Sequence, residues 1–279
     1  METILKGTTK EVLISTNGPV VIIGESINPT RRKKLVSTLQ NNDFSYVLEI
    51  AQSQINAMAD VLDVNVGYPG VDDVSLLPQT VIQLQDNFDI PLCLDSPNPK
   101  AIEAALKVAK GKCLINSVNG EERSLEALLP VARDYGAAII GLAMDDDGIT
   151  HDPVKRLSIA EKIINRAVQA GIKEEDVIVD PLAMAVSADP NACLVTLETI
   201  RLVHDKLGHN ITQGASNISF GLPAREMLNI AYMVLSIHAG LTCPIANPEK
   251  ITAAVRAADL VLARDDFAIR FIEHYELTK

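Results

Sequence analysis

The chain has 279 residues, of which 47% are hydrophobic and 22% charged, a globular balance that excludes disordered, collagen-like and coiled-coil classes. Its net charge of −11 argues against general nucleic-acid binding, because a phosphate backbone needs clustered lysine and arginine. The sequence shows neither a signal peptide nor an apolar run long enough to span a membrane. We therefore expect a cytoplasmic protein. The four cysteines form no Cys-x-x-Cys pair and are too few for a disulfide scaffold.

Short apolar runs alternate along the chain with longer stretches whose apolar residues recur at helical spacing. The runs predict β-strands at Val20–Gly24, Val61–Val66, Pro91–Asp95, Cys113–Asn116, Ala138–Met144, Val177–Asp180, Ile211–Ala215 and Leu241–Ala246. An Asx-Pro pair, which suits a helix N-terminus, precedes the helical stretches at Asn98, Asp152, Asp189 and Asn247. Glycines that suit helix ends follow at Gly111, Gly136, Gly171, Gly208 and Gly240.

Strands that alternate with helices require a parallel sheet covered by helices. About eight such units favour an α/β fold of the (β/α)8 TIM-barrel type over the alternative, a doubly wound open sheet. No linker or low-complexity run interrupts the chain, so we predict a single domain over residues 1–279.

The predicted strands end in acidic and amide side chains. In a barrel, the reacting groups lie at the carboxyl ends of the strands. A carboxylate accepts two parallel N–H bonds from an aminopyrimidine edge, and an amide both donates and accepts. The set therefore favours a neutral, N–H-rich ligand over phosphate, although any one member alone is better explained as a helix cap. Its members are Glu25, Asp63, Asn65, Asp95, Asn116, Asp180 and Asn217.

At these positions the chain resembles the methyltetrahydrofolate:corrinoid protein methyltransferases, a group within the pterin-binding superfamily. The resemblance implies a (β/α)8 barrel, usually a homodimer, that moves a methyl group between N5 of tetrahydrofolate and the cobalt of a corrinoid. The matching segments, in the expected order, are Ile23–Asn28, Leu62–Gly67, Leu92–Ser96, Ile115–Ser117, Val179–Leu182 and Ser216–Pro223.

The resemblance also implies roles for single residues. Asp95, Asn116 and Asp180 would hold the pyrimidine side of the pterin, and Asn217 would lie near N5. Arg225 matches an arginine that follows the asparagine motif and would also bind the pterin. No strong acid is evident for the transfer step, so we expect Asn217 to be catalytic by orienting a water towards N5. The resemblance assigns no role to Glu25, Asp63 and Asn65.

The chain has no Asp-x-His-x-x-Gly motif of the kind that binds a corrinoid, and the barrel would use all of its length. We therefore expect the corrinoid (cobalamin) to arrive on a separate protein, with tetrahydrofolate or 5-methyltetrahydrofolate as the small substrate. No metal site of the chain's own is predicted, since its histidines show no metal-ligand spacing. The direction of transfer stays open.

Two other functions compete with this interpretation. A dihydropteroate synthase would carry a Ser-Arg-Lys motif where this chain reads Ser216-Asn217-Ile218-Ser219, and its early Asp-Ser-Phe-Ser loop is absent. A non-catalytic pterin-binding barrel would keep the binding residues without turnover. The basic run Arg31–Lys34 is interpreted first as a solvated helix face, with attraction of a folate glutamate tail or of an acidic partner as alternatives.

Overall fold

The structure, a computed structural model, describes residues 1–279. An antiparallel hairpin of β1 (Glu2–Lys6) and β2 (Glu11–Ser15) precedes a second, parallel sheet. The strands of the parallel sheet are β3 (Ile23–Ile27), β4 (Val61–Asn65), β5 (Leu92–Asp95), β6 (Leu114–Asn119), β7 (Ala138–Leu142), β8 (Val177–Asp180) and β9 (Ile245–Ala246).

Helices follow each strand of the parallel sheet and pack around its outer face. They are α1 (Lys33–Gln40), α2 (Ser45–Asn56), α3 (Asp73–Asn87), α4 (Pro99–Val108), α5 (Glu122–Tyr135), α6 (Pro153–Gln169), α7 (Ala192–Leu207), α8 (Arg225–Ala239), α9 (Pro248–Val261) and α10 (Ile269–Leu277). The length and apolar character that a membrane span requires are found in none of them.

The parallel sheet closes into a barrel. Its seven strands run in the order β8-β7-β6-β5-β4-β3-β9. Residues 211–214 fill the gap between the two edges, because Val179 bridges to Ile211 and Gly214 bridges to Ile245, both in parallel. The backbone N–H of Thr212 donates to Val179 O at 2.9 Å, which completes the ring. The (β/α)8 prediction is therefore confirmed, and the open doubly wound sheet is wrong.

Several predicted boundaries need correction. The first barrel strand begins at Ile23 rather than Val20, because Val20 N and Ile22 N donate to the carboxylates of Asp259 and Asp60. The predicted strand at 211–215 pairs only through the isolated bridges, since a 3₁₀ turn begins at Ala215. The last strand is confined to β9.

Three of the four predicted Asx-Pro caps are confirmed. The side chains of Asn98, Asp152 and Asn247 each accept the backbone N–H two residues on, and Pro occupies the first helical turn. Asp189 does not cap α7, which begins after Asn191. Its carboxylate instead accepts Asn191 N at 2.9 Å within the preceding turn.

The hairpin, which the sequence reading missed, closes the amino-terminal end of the barrel. Leu5, Val12 and Ile14 are buried there against side chains that point into the barrel from the strands. Gly111 makes this approach possible, because a Cβ at that residue would lie 2.1 Å from Gly7 O. The opposite, carboxyl end of the barrel carries the main cavity.

Candidate functional site

A cavity of about 690 Å³ lies at the carboxyl end of the barrel. It brings together all five predicted site residues, together with two of the three that had no assigned role. The polar and charged side chains on its wall include Glu25, Asn28, Asp63, Asp95, Asn116, Asp180, Asn217 and Arg225, with Leu142 and Phe220 as apolar neighbours.

Strand register explains why residues far apart in the chain meet here. Asn65 on β4 is level with Asp95 on β5, and Asp95 is level with Asn116 on β6. On the neighbouring pair, Leu142 on β7 is level with Asp180 on β8. Because parallel strands end at the same edge, Asn65, Asp95 and Asp180, the last residues of β4, β5 and β8, form a polar rim together with Asn116 of β6. Pro181 ends β8 at Asp180, as the restriction on a residue before proline predicts.

The residues without an assigned role hold the predicted ones in place. The Asn65 amide donates from Nδ2 to Asp95 Oδ2 at 2.8 Å. In the same way, Asn116 Nδ2 donates to Asp63 Oδ1 at 3.2 Å. Each pair leaves one carboxylate oxygen without these bonds, and the Asn116 carbonyl remains available. A planar ligand edge with adjacent donors and acceptors therefore meets a pre-oriented set of complementary groups.

The loop that holds Asp180 in place is ordered by Arg156, a residue that the sequence analysis did not predict. The Leu182 backbone N–H donates to Asp180 Oδ1 at 2.7 Å. The fully buried guanidinium of Arg156 donates to Pro181 O at 2.7 Å and to Leu182 O at 2.9 Å. Arg156 thus orders the loop that follows β8. Its only sequence signal was a charged residue next to the apolar stripe of α6, a weak one because exposed arginines are common there.

The acids of the cavity lack cationic partners. None of the side chains of Glu25, Asp63, Asp95 and Asp180 has a lysine, arginine or histidine nitrogen within 4.0 Å. Burial raises the pKa of Asp180 to about 7, against the lowering effect of the Leu182 N–H and of the more distant Arg156. Burial first, and the charge of Asp95 second, raise the pKa of Asp63 well above its ordinary value. Burial likewise raises the pKa of Asp95 and of Glu25.

Such groups gain from a ligand that supplies N–H donors. A buried carboxylate without a partner is costly, and hydrogen bonds to its charged form recover part of that cost. The cavity is poorly suited to phosphate, since its inner wall already carries several acidic groups. The structure contains no group of three or more His, Cys, Asp or Glu side chains placed to hold a metal ion.

Asn217 stands on the other side of the cavity, in the 3₁₀ turn Ala215–Ser219. Its side chain is exposed to the cavity and makes no hydrogen bond within the protein. The turn is anchored on both sides. Ser216 Oγ donates to Glu25 Oε1 at 2.7 Å, and Arg225 Nη2 donates to Ser216 O at 2.8 Å. Part of the Arg225 guanidinium therefore holds the turn that carries Asn217.

The fold and the site define the protein as a closed parallel (β/α)8 barrel with acidic and amide side chains around a cavity at its carboxyl end. The family model described as "Pterin binding enzyme" matches residues 24–247. The chain belongs to this pterin-binding enzyme family.

Two kinds of curated relative show sequence similarity to the chain. The methylcorrinoid:tetrahydrofolate methyltransferase of Eubacterium limosum is 28% identical over 270 residues, which is 93% of this chain and 97% of the relative. The methionine synthase of Mycobacterium tuberculosis is 30% identical over 245 residues, which is 83% of this chain but only 21% of the relative. The resemblance to methyltransferases of folate and corrinoid chemistry is therefore confirmed.

Solved structures with the same fold include dihydropteroate synthases. The enzyme of Yersinia pestis with a pterin–sulfa conjugate superposes with a TM-score of 0.71 at 17% identity, covering 94% of this chain and 99% of the other. The enzyme of Coxiella burnetii with pteroic acid gives 0.67 at 18% identity, covering 92% and 98%. At such identities the likeness shows the fold alone.

Proposed function

We propose that the protein is a methyltransferase that moves a methyl group between N5 of tetrahydrofolate and the cobalt of a corrinoid held by a separate protein. The observation that carries the proposal is the meeting of Asp95, Asn116, Asp180 and Asn217 on one cavity of the barrel mouth. Support for the chemistry comes from the Eubacterium limosum relative, which matches nearly end to end and whose name states methyl transfer between a methylcorrinoid and tetrahydrofolate.

The pterin would bind with its aminopyrimidine edge towards the acids. Asp180 and Asp95 accept N–H groups of the ring. The Asn116 carbonyl accepts one more, or the Asn116 side chain rotates so that its amide N–H donates to the ring. The cavity acids keep raised pKa values only while they are unpartnered, so ring donors would bring them towards their charged form. Asn65, Asp63 and Arg156 act behind them as positioning residues.

The transfer itself is an SN2 displacement. When tetrahydrofolate accepts the methyl group, the N5 lone pair forms the new C–N bond, the Co–C bond breaks towards cobalt(I), and N5 loses a proton. In reverse, cobalt(I) attacks the methyl carbon, and N5 needs a proton or a strong hydrogen bond to leave as a neutral amine. The protein's task is therefore to stabilise charge that changes at N5.

We assign that task to Asn217. Its amide is exposed to the cavity and has no partner within the protein, so it is free to hold a water against N5. A hydrogen bond that strengthens as charge develops lowers the barrier without tightening the ground state. The turn that carries Asn217 is held by Arg225 through Ser216 O and by Glu25 through the Ser216 hydroxyl.

Our proposal that the corrinoid reaches the chain as a substrate is supported by the name of the Eubacterium limosum relative, a methylcorrinoid:tetrahydrofolate methyltransferase. The chain spans about a fifth of the methionine synthase that it matches, whereas it spans nearly all of the Eubacterium limosum methyltransferase. The name of the Eubacterium limosum relative favours tetrahydrofolate as the methyl acceptor. Homodimer formation, a cytoplasmic location and a single domain over residues 1–279 stay predictions from the sequence.

The first experiment is a methyl-transfer assay with tetrahydrofolate and methylcobalamin, run in both directions and followed by the cobalamin spectrum. Asn217→Ala should lower kcat by about 100-fold, in line with the loss of one oriented transition-state donor, while the Kd for tetrahydrofolate changes little. Asn87→Ala, on an exposed helix end, is the matched control. An unchanged kcat in Asn217→Ala would contradict the assigned role.

The same preparations separate the competing functions. Dihydropteroate synthesis from p-aminobenzoate should be absent, because residues 216–219 supply neither Arg nor Lys. Tight binding of tetrahydrofolate without methyl transfer to or from any corrinoid would instead favour a non-catalytic pterin-binding barrel.

A further inference from the structure

A second concave surface adjoins the mouth of the cavity. It encloses about 520 Å³ between the start of α1 and the loop after β4, and its wall includes Thr30, Arg31, Arg32, Lys33, Tyr68 and Pro69. Thr30, Arg31 and Arg32 also line the main cavity. The two spaces are therefore joined, and we call the second one the basic groove.

The cations of the basic groove have no acidic side chain within salt-bridge distance. Arg31, Arg32 and Lys33 form no ion pair, although the chain has 36 acidic residues. Their neighbour Lys34 differs, since it pairs with Glu49 at 3.4 Å and lies over the Tyr46 ring. Arg31 rests on the ring of Phe220, a contact that leaves its N–H groups free.

The backbone adds to this positive character. Helix α1 begins after Arg32, which supplies no side-chain cap, and no acid lies in the first turn. Its first N–H groups therefore lack side-chain acceptors, and the partial positive charge of the helix start adds to the three side chains. Basic residues at a helix N-terminus oppose the dipole, so this arrangement does not serve helix stability.

The two joined spaces differ in charge. The main cavity is lined by Glu25, Asp63, Asp95 and Asp180, with Arg31, Arg32 and Arg225 also on its wall, whereas the basic groove is lined by three cations and no acid. A ligand with a neutral, N–H-rich head and an anionic tail fits this pattern in one orientation only. The acids repel the tail from the interior, and the cations attract it at the exit.

We infer that the basic groove binds the carboxylates of the folate γ-glutamyl tail, and that the enzyme prefers folates with several glutamates. This inference rests on the proposed function. A tail is favoured over an acidic partner protein because the cations line a concavity that continues the ligand cavity. A flexible polyanion of small cross-section can enter such a groove.

The test compares tetrahydrofolates carrying one, three and five glutamates. Their Kd values would be measured with the wild type, with a variant combining Arg31→Gln, Arg32→Gln and Lys33→Gln, and with Lys34→Gln as the matched control. In the wild type, the pentaglutamate should bind about tenfold more tightly than the monoglutamate at low ionic strength, as a few partly exposed ion pairs allow. The ratio should fall to about one in the triple variant or at high salt, and stay unchanged in Lys34→Gln.

Each alternative has its own result. A wild-type Kd independent of tail length, with the monoglutamate still bound, overturns the inference and leaves the proposed function standing. Failure of every tetrahydrofolate to bind overturns the proposed function itself. A normal length ratio in the triple variant, together with a raised KM for a corrinoid protein but not for free methylcobalamin, would show that the groove serves the partner instead.

Discussion

Acidic residues have opposite surroundings at the two ends of the barrel. At the amino-terminal end, the Asp60 carboxylate accepts Ile22 N at 2.8 Å and pairs with Arg270 at 3.2 Å. Asp89 accepts hydrogen bonds from the Thr9 hydroxyl and from the Thr9 and Lys10 N–H groups of the hairpin, and these bonds lower the pKa of Asp89 to about 2. At the carboxyl end, burial without a cationic partner raises the pKa of Asp180 to about 7.

The contrast between the two ends shows that acids at one end of the barrel stabilise the fold, whereas acids at the other end are available for a ligand. Acids at the closed end satisfy backbone donors and arginines, and so stabilise the ends of strands and the hairpin. Acids at the open end are held in place but left short of partners, which costs stability and prepares them for a ligand. The division agrees with the general rule that barrel chemistry lies at the carboxyl ends of the strands.

The largest effect is expected at the closed end. Arg256 is fully buried, donates to Val20 O at 3.1 Å and lies 3.9 Å from the buried Asp259 carboxylate. Arg256→Met should lower the free energy of unfolding by about 3–5 kcal/mol, because it removes the cation from a buried pair. Urea unfolding measures this change. The exposed pair partner Arg201→Met is the control and should cost less than about 1 kcal/mol. Equal effects of the two changes would contradict the contrast between the ends.

A substitution at the open end should change affinity rather than stability. Asp180→Asn keeps the shape of the side chain but removes one acceptor and its charge, so tetrahydrofolate should bind about 100-fold more weakly, a loss of about 2.7 kcal/mol. The variant should unfold at the same temperature as the wild type or higher. Asp205→Asn, on an exposed helix surface, is the control for both measurements. Unaltered tetrahydrofolate affinity would remove Asp180 from the site.

The smallest expected effect is a pH dependence with an unusual sign. Because the pKa of Asp180 is raised from 3.8 to about 7, the native state binds more protons than the unfolded state between these values. The contribution of Asp180 to stability is therefore favourable below pH 4 relative to that above pH 7, and it declines as the pH rises through this window. Asp89 acts in the opposite sense, because its stabilisation is present above pH 3.8 and is lost towards pH 2.

Urea unfolding of the wild type and of Asp180→Asn, both without ligand, isolates this contribution. The stability gained by the asparagine should increase by about 2.6 kcal/mol between pH 5 and pH 8. A difference between the two proteins that does not vary with pH would show that Asp180 has an ordinary pKa.

Local signals were sufficient to predict the barrel. The caps at Asn98, Asp152 and Asn247 depend only on neighbouring residues, and the strand that ends at Asp180 is marked by the proline after it. Polar strand ends then become neighbours through the geometry of a parallel barrel. For this reason the cavity contains Asp95 and Asn116, which we predicted from their positions at the ends of the predicted strands.

Contacts between residues far apart in the chain could not be predicted from local sequence signals. In the hairpin, Ile4 and Leu13 are exposed next to the buried Leu5 and Ile14, so the alternation that marks a surface strand is blurred. The pairing of Asn65 with Asp95 depends on register between two strands 30 residues apart. Arg156 acts through backbone carbonyls of the loop after β8, which no pattern in its own helix indicates.

The closed amino-terminal end has a kinetic consequence for the proposed reaction. With the hairpin packed across one end, the described cavity opens at the other, where a corrinoid carrier must also dock to bring cobalt to N5. Folate therefore has to enter first and leave last. Initial rates should show an ordered sequence in which excess carrier slows turnover by trapping the folate product beneath it.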